Sequence, residues 1–369
     1  MGNITSQTTD DINEIINFKN VNIPNNYTMV KIVTYNVQLK NSINIDNHIH
    51  KIGQYILGTF RDKDIDIMCI QGLDDKYSLY KLITHIKTMG KNNDINLYFA
   101  PEFDNINVSE QNSLQSSLNI AWSDSKQKSD KGASDNILNN NTTPNIIISR
   151  HMIISYLCEP LDTPETSLFV IDGIVSSNIN INNNIISIYN ISLSNDIISA
   201  QINNSEKRKC EMNKVKDIIV SNHSLISTDD RFRKYKKTDI NFMVGSFEIV
   251  ETKNNEINEE YLELTSKFRC ADIYRYQHEE KEGYTNIKNE RSDYIMLLLT
   301  EDIFDNKGKY HKMILNIKNP EDAFKLIFDR YNLHTIQTHV NIDETCRPHF
   351  PIENIMIFKT SNSAHSPQN

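Results

Sequence analysis

What the chain lacks narrows its identity first. None of its five cysteines, Cys69, Cys158, Cys210, Cys270 and Cys346, belongs to a C-x-x-C pair, and their number is odd. That spacing excludes a standard zinc site and argues against a disulfide framework, so a reducing, cytoplasmic compartment is the expectation. No apolar run approaches the roughly 18 residues of a membrane-spanning helix, and the polar N-terminus carries no signal-peptide pattern. Positive charge is not in excess: 39 Lys and Arg face 48 Asp and Glu, a net charge of −9. The chain as a whole is therefore not drawn to nucleic acid or to anionic membranes, and any such contact has to come from a local patch. P-loop, G-x-G-x-x-G and Ser-His-Asp patterns are absent, as are internal repeats.

The 369 residues suffice for one large α/β domain with insertions. Residues 1–28 read as a polar leader and residues 360–369 as a polar tail. Between them, "MVKIVTYNV" (29–37), "DIDIMCI" (64–70), "INLYFA" (95–100), "NIIISRHMIISY" (145–156), "SLFVIDGIVS" (167–176), "NIISIYNISL" (184–193) and "FMVGSFEIV" (242–250) have the β-branched, apolar character of strands. Further strands are expected at "RSDYIMLLL", "HKMILNI", "HTIQTHV" and "ENIMIFK". Helical spacing places Ile49, Ile52, Ile56 and Phe60 on one face behind a capping Asp46, and Leu79, Leu82, Ile83 and Ile86 on another that stops at Gly90. A third helix, over 206–220, would bury Cys210, Val215, Ile218 and Ile219. Residues 104–143 are rich in Ser, Asn and Asp and read as a surface insertion with one short strand at "LNIAW". Many strands interleaved with a few amphipathic helices predict one α/β domain over 29–359, with two sheets packed together and helices outside.

Seven of these strand ends, in this order, resemble the endonuclease/exonuclease/phosphatase superfamily with its DNase-I-like fold. "VKIVTYNV" is similar to the family's first strand and its T-Y/W-N ending, and "DIDIMCIQGLDD" to D-I-x-x-L-Q-E. "NIIISR" is similar to N-A-I-L-S-R, "ISIYNISL" sits at N-T-H-L, and "FMVGSFEI" sits at G-D-F-N. "ADIYRYQHEEKEGYTNIKNERSDYIMLL" resembles D-x-x-R…G-Y-T…R-I-D-Y-I, and "RPHFPI" sits at S-D-H-x-P-I. The resemblance implies a four-layer α/β/β/α sandwich of two mixed sheets. It also implies phosphate-ester hydrolysis assisted by a divalent ion, usually Mg²⁺, held by carboxylate oxygens while Asp, Asn and His position water and stabilise charge on the phosphate.

Carried over position by position, the resemblance keeps Asn36, Asp293 and His349. The metal-binding Glu falls on Gly72, the His of N-T-H-L on Ser192, the Asp and Asn of G-D-F-N on Ser246 and Glu248, and the last Asp on Pro348. Mg²⁺ demands near-octahedral oxygen ligation. Losing one group of this kind costs about 10²–10⁴-fold in rate. The expected protein is thus a catalytically inactive relative without a resident metal, acting by binding or scaffolding through an unidentified protein partner. The alternative is a divergent Mg²⁺-dependent phosphodiesterase or phosphatase, of nuclease or phosphoinositide/sphingomyelin type, in which Gln71, Asp74, Asp75, Glu248 and Asp293 rebuild the metal site. Asp74 and Asp75 read equally well as a helix N-cap before "KYSLYKL".

Two features stand outside the resemblance. "RFRKYKK" offers Arg231, Arg233, Lys234, Lys236 and Lys237, with aromatics interleaved, as a candidate phosphate-binding patch for nucleic acid or lipid head groups. Its bland reading is a solvated loop. "MGNITS" fits an N-myristoylation pattern with Gly2 as acceptor. A single acyl chain without a polybasic cluster would give only weak, reversible membrane association.

Overall fold

The computed structural model describes residues 27–39, 44–73, 76–92, 94–102, 145–161, 173–194, 204–253, 256–268, 270–278, 283–286, 288, 290–299, 333–341 and 349–359. Gly2 and most of the leader, the 104–143 insertion with its "LNIAW" strand, Asp74, Asp75, Pro348, the "HKMILNI" strand and the tail lie outside the described residues.

Long β-branched runs fix the sheets. In sheet order, β13 (Leu333–Val340), β14 (Ile352–Lys359), β1 (Tyr27–Asn36), β2 (Ile67–Gln71), β4 (Ile146–Ser149) and β3 (Tyr98–Ala100) form one six-stranded sheet. The second runs β11 (Cys270–Asp272), β12 (Asp293–Leu299), β8 (Lys236–Ser246), β7 (Asn184–Ser192), β6 (Gly173–Ile181) and β5 (Ile153–Pro160). A small ribbon pairs β9 (Thr252–Lys253) with β10 (Glu256–Ile257). Both large sheets are mixed, because β1 lies parallel to β2, and β7 to β8, among antiparallel neighbours.

Alternation along each strand then builds the layers. Val30 and Ile32 of β1, Ile67 and Cys69 of β2, Ile186 and Ile188 of β7, and Phe242 and Val244 of β8 meet between the sheets. The opposite parity, Val33 and Tyr35 or Met68 and Ile70, packs under α1 (Ile45–Lys63) and α2 (Lys76–Lys91). The other face of the second sheet, with Tyr189, Met243 and Met296, packs against α3 (Asn204–Thr228) and α4 (Glu259–Phe268). The result is the four-layer α/β/β/α sandwich, and its strands read as continuous apolar runs because both faces are covered.

Several local expectations change. The stretch 145–156 is not one strand: β4 ends at Ser149, and the chain crosses at Arg150–Met152 to begin β5 in the other sheet. Asn44, not Asp46, caps α1, its side-chain oxygen accepting from Asn47 N at 3.1 Å. β1 starts at Tyr27, so it takes in the last two residues assigned to the leader. Cys210 is exposed on α3, whereas Met212, Val215, Ile218 and Ile219 are buried.

Candidate functional site

One end of the inter-sheet space is lined with polar side chains. The parity that buries Ile32 and Ile67 carries Thr34, Asn36 and Gln71 onward to the strand tips, and in the second sheet it carries Asn190, Ser192, Ser246 and Asp293. Strand register sets them side by side. Asn36 pairs with Gln71 across β1 and β2. Ser192, Ser246 and Asp293 stand abreast on β7, β8 and β12.

The tips are joined across the sandwich by one hydrogen-bonded chain. Asn36 Nδ2 donates to Ser246 Oγ at 3.0 Å, and that hydroxyl donates to Glu248 Oε1 at 2.9 Å. Asn36 Oδ1 accepts from Gln38 N at 3.2 Å. Both ends of the Asn36 amide are thereby occupied within the protein. Glu248 sits at φ 53°, a left-handed conformation that costs a residue with a long side chain on the order of 1 kcal/mol. Burial, followed by the nearby charge of Asp293, pushes its carboxyl up to about 7.

Asp293 accepts from His349 Nδ1 at 2.8 Å, both side chains being buried. Burial opposes charge on this imidazole, but the Asp293 carboxylate outweighs it and raises the His349 pKa above its ordinary value. Asp293 Oδ1 is buried and has no hydrogen-bond partner among the described residues. Thr285 of the "GYT" stretch ties these loops together: its Oγ1 accepts from Ser292 N and Asp293 N, and its carbonyl accepts from Phe350 N at 2.8 Å.

At Gly72, where the resemblance expects a carboxylate, the backbone is closely packed. Its φ is +73°, and a Cβ there would lie 2.2 Å from Asn36 Oδ1 and 2.7 Å from the backbone nitrogen of Gln38. The space in which a side chain would begin is filled by Asn36.

Gln71, a candidate ligand in the sequence, and Thr34, Asn190 and Arg291, which the sequence left unmarked, brace the site. Gln71 does not point at a cation; its Nε2 donates to Thr34 Oγ1 (2.9 Å) and to Asn190 Oδ1 (2.6 Å). Asn190 Nδ2 in turn donates to the carbonyls of Ile70 and Ile146, from one sheet to the other. The period-2 pattern carried the signal, since a polar residue on the inward parity of a buried strand needs a partner. Beside Asp293, the buried Arg291 pairs with Asp272 and with Glu251 (2.8 Å) and lies between the rings of Tyr274 and Tyr294. This explains the Arg, Asp and Tyr of the motif in structural terms.

The basic stretch does not join this site. β8 starts at Lys236 and reaches Ser246 at the other end of the sandwich, roughly 30 Å of extended chain away. Arg231 is held by Asp229 (2.7 Å) and Arg233 by Asp230 (2.8 Å), while Lys234 lies over the Tyr235 ring. The side chains of Lys236 and Lys237 lie outside the described residues.

Mg²⁺ takes one or two carboxylates and fills its octahedron with water; here Glu248 and Asn36 spend one oxygen each on Ser246 and Gln38, His349 takes one Asp293 oxygen, and Asp293 Oδ1 has no partner among the described residues. No group of three or more His, Cys, Asp or Glu suited to a metal occurs among the described residues.

No protein-family model and no curated protein sequence matches the chain. Solved structures do. A beta toxin from Staphylococcus aureus is 12% identical with a TM-score of 0.51, covering 88% of this chain and 99% of the toxin. A form of that toxin with bound magnesium ions scores 0.49. SmcL is 11% identical with a TM-score of 0.50, covering 89% and 99% of the two chains. An endonuclease/exonuclease/phosphatase family protein from Leptotrichia buccalis is 16% identical with a TM-score of 0.46, covering 88% and 98%.

Proposed function

This chain has the DNase-I-like endonuclease/exonuclease/phosphatase fold, and from that premise we propose that it works by binding, its metal-dependent ester hydrolysis having been dismantled. The observation that carries the reading is the closed chain Gln38–Asn36–Ser246–Glu248. Groups that would face a cation and a phosphate are turned onto one another, and the Gly72 backbone is packed against them. The partner is another protein, and the working compartment is the cytoplasm. Gly2 acylation would add weak membrane association.

A second reading, a divergent metal-dependent phosphoesterase, draws on the Asp293–His349 pair and the partnerless Asp293 Oδ1. One experiment separates the two. The purified full chain is offered plasmid DNA, RNA, inositol phosphates and sphingomyelin with Mg²⁺ or Mn²⁺, while calorimetry measures metal binding. The binding reading expects no turnover above a metal-free control. Metal-dependent turnover that disappears in Glu248→Gln and Asp293→Asn would overturn it.

A further inference from the structure

The helices α1 and α2 lie side by side and run the same way. Asp46 of α1 meets Lys81 of α2 at 2.6 Å. One turn further along both, His50 meets His85, their ring centroids 4.5 Å apart. Contacts that step forward together on two helices mark a parallel pair. The His85 ring fits there because the residue beneath it is a glycine. A Cβ on Gly53 would stand 2.4 Å from His85 Cδ2, far inside the ordinary separation of two carbons.

Both rings are set for the neutral form. His50 Nε2 takes a hydrogen bond from the Gln54 amide at 3.0 Å, which a proton on that nitrogen would exclude. His85 Nε2 is buried and has no hydrogen-bond partner among the described residues. A bare acceptor is tolerable in that place, whereas a buried cationic N–H with nothing to receive it is costly. Burial, followed by the charge of His50, accordingly lowers the His85 pKa, against the smaller effect of a backbone hydrogen bond to His50. The charged neighbours do not relieve this. The Asp46 carboxylate is engaged by Lys81. Lys51 on α1 is a further cation and lowers the titration of His48. Lys87 on α2 lies over the Phe99 ring of β3.

We propose that the His50–His85 contact is an acid-sensitive seam: it is closed while both imidazoles are neutral, and it parts when His85 takes a proton, so that α1 and α2 separate. The chain enters α1 from β1 and α2 from β2 by way of Gly72, so opening the seam also slackens the segments that leave the strand tips. The device uses none of the groups at those tips and stands whether or not the protein is an enzyme. Its contribution is whole above the ordinary value of 6.5 and is lost as the pH falls through the lowered, folded one. Glu248 and His349 act in the opposite sense, so the seam is read locally and not from global stability.

Amide exchange of the full chain, followed by mass spectrometry at about pH 7.5 and about pH 5.5 and corrected for the intrinsic effect of pH, provides that reading. Protection across α1 and α2 should fall at the lower pH, by up to about tenfold for each unit by which the His85 pKa is lowered. The central strands β7 and β8 should keep theirs. His85→Phe retains a ring without a titrating nitrogen, and its helices should be equally protected at both values. In the parent chain, NMR of isotope-labelled histidines should show His85 titrating below 6.5. Gly53→Ala evicts the ring from its seat and should return that titration to the ordinary value. Helix protection that does not change with pH overturns the proposal, as does a fall that persists in His85→Phe. A parent His85 that titrates at or above 6.5 overturns it without any variant having to fold.

Discussion

Gly72 offers the sharpest test of the collapsed centre. In Gly72→Ala the added methyl must hold φ at +73°, where a non-glycine residue costs about 1 kcal/mol. It must also displace Asn36 Oδ1 from 2.2 Å and the Gln38 backbone nitrogen from 2.7 Å. Moving Asn36 breaks its bonds to Gln38 N and Ser246 Oγ, each contributing about 1 kcal/mol, with a further penalty if a buried group is left unpaired. The sum is a loss of about 2–4 kcal/mol. Gly58 supplies the internal control. It lies within α1, and a Cβ there would meet only Asp62 Oδ2 at 3.9 Å, so Gly58→Ala should stabilise by about 0.5–1 kcal/mol. Urea denaturation with an unchanged m-value measures both. If Gly72→Ala lies within about 0.5 kcal/mol of the parent, Asn36 is not locked into that space and the collapsed centre is refuted.

Glu248 should make stability depend on pH near neutrality. Its folded carboxyl lies at about 7 against an ordinary 4.5. The neutral acid is the favoured form, so stability is greatest below about 4.5 and falls as the pH rises to about 7, by at most about 3 kcal/mol. Glu248→Gln should flatten that slope in urea titrations, and an unchanged slope would exonerate this residue. His349 acts with the same sign: its raised pKa gives stability that is present below its ordinary value and lost as pH rises through the folded one. His349→Gln should accordingly remove a separate part of the slope, and imidazole proton shifts followed by NMR would show whether its titration is displaced upward. Arg291→Ala should cost about 3–5 kcal/mol by stranding the buried Asp272 and Glu251 carboxylates; near-parental stability would mean that these groups find water. Arg231→Ala with Arg233→Ala should leave stability within about 0.5 kcal/mol, because both arginines are exposed and pair only locally.

The layers were legible in the sequence because both faces of these strands are buried, which writes them as runs such as "NIISIYNI" and "VKIVTYNV". The order of motifs placed Asn36, Ser192, Ser246 and Asp293 at strand tips, where they are found. What stayed hidden was of two kinds. The passage of 145–156 from one sheet to the other has no composition of its own, since strands of either sheet are equally apolar. The direction of polar side chains was also invisible. Gln71 counts as a ligand on paper and serves as a tie in space, and Glu248 looks like a substituted asparagine until its backbone angle shows what holding it costs. The sequence likewise does not show that Ser246 bridges Asn36 of the other sheet and Glu248 of a left-handed turn.

The tie through Gln71 reaches from the tip of β2 down to Thr34 and Asn190, each two residues below the tip of its own strand. Its bonds run between the sheets, so they resist one sheet sliding over the other, a motion that apolar contacts alone oppose only weakly. Shape and chemistry are thereby anchored at different depths. Mutation at the tips can erase a reaction while the deeper layer preserves the architecture, and a lineage can keep the vessel long after changing what it is used for.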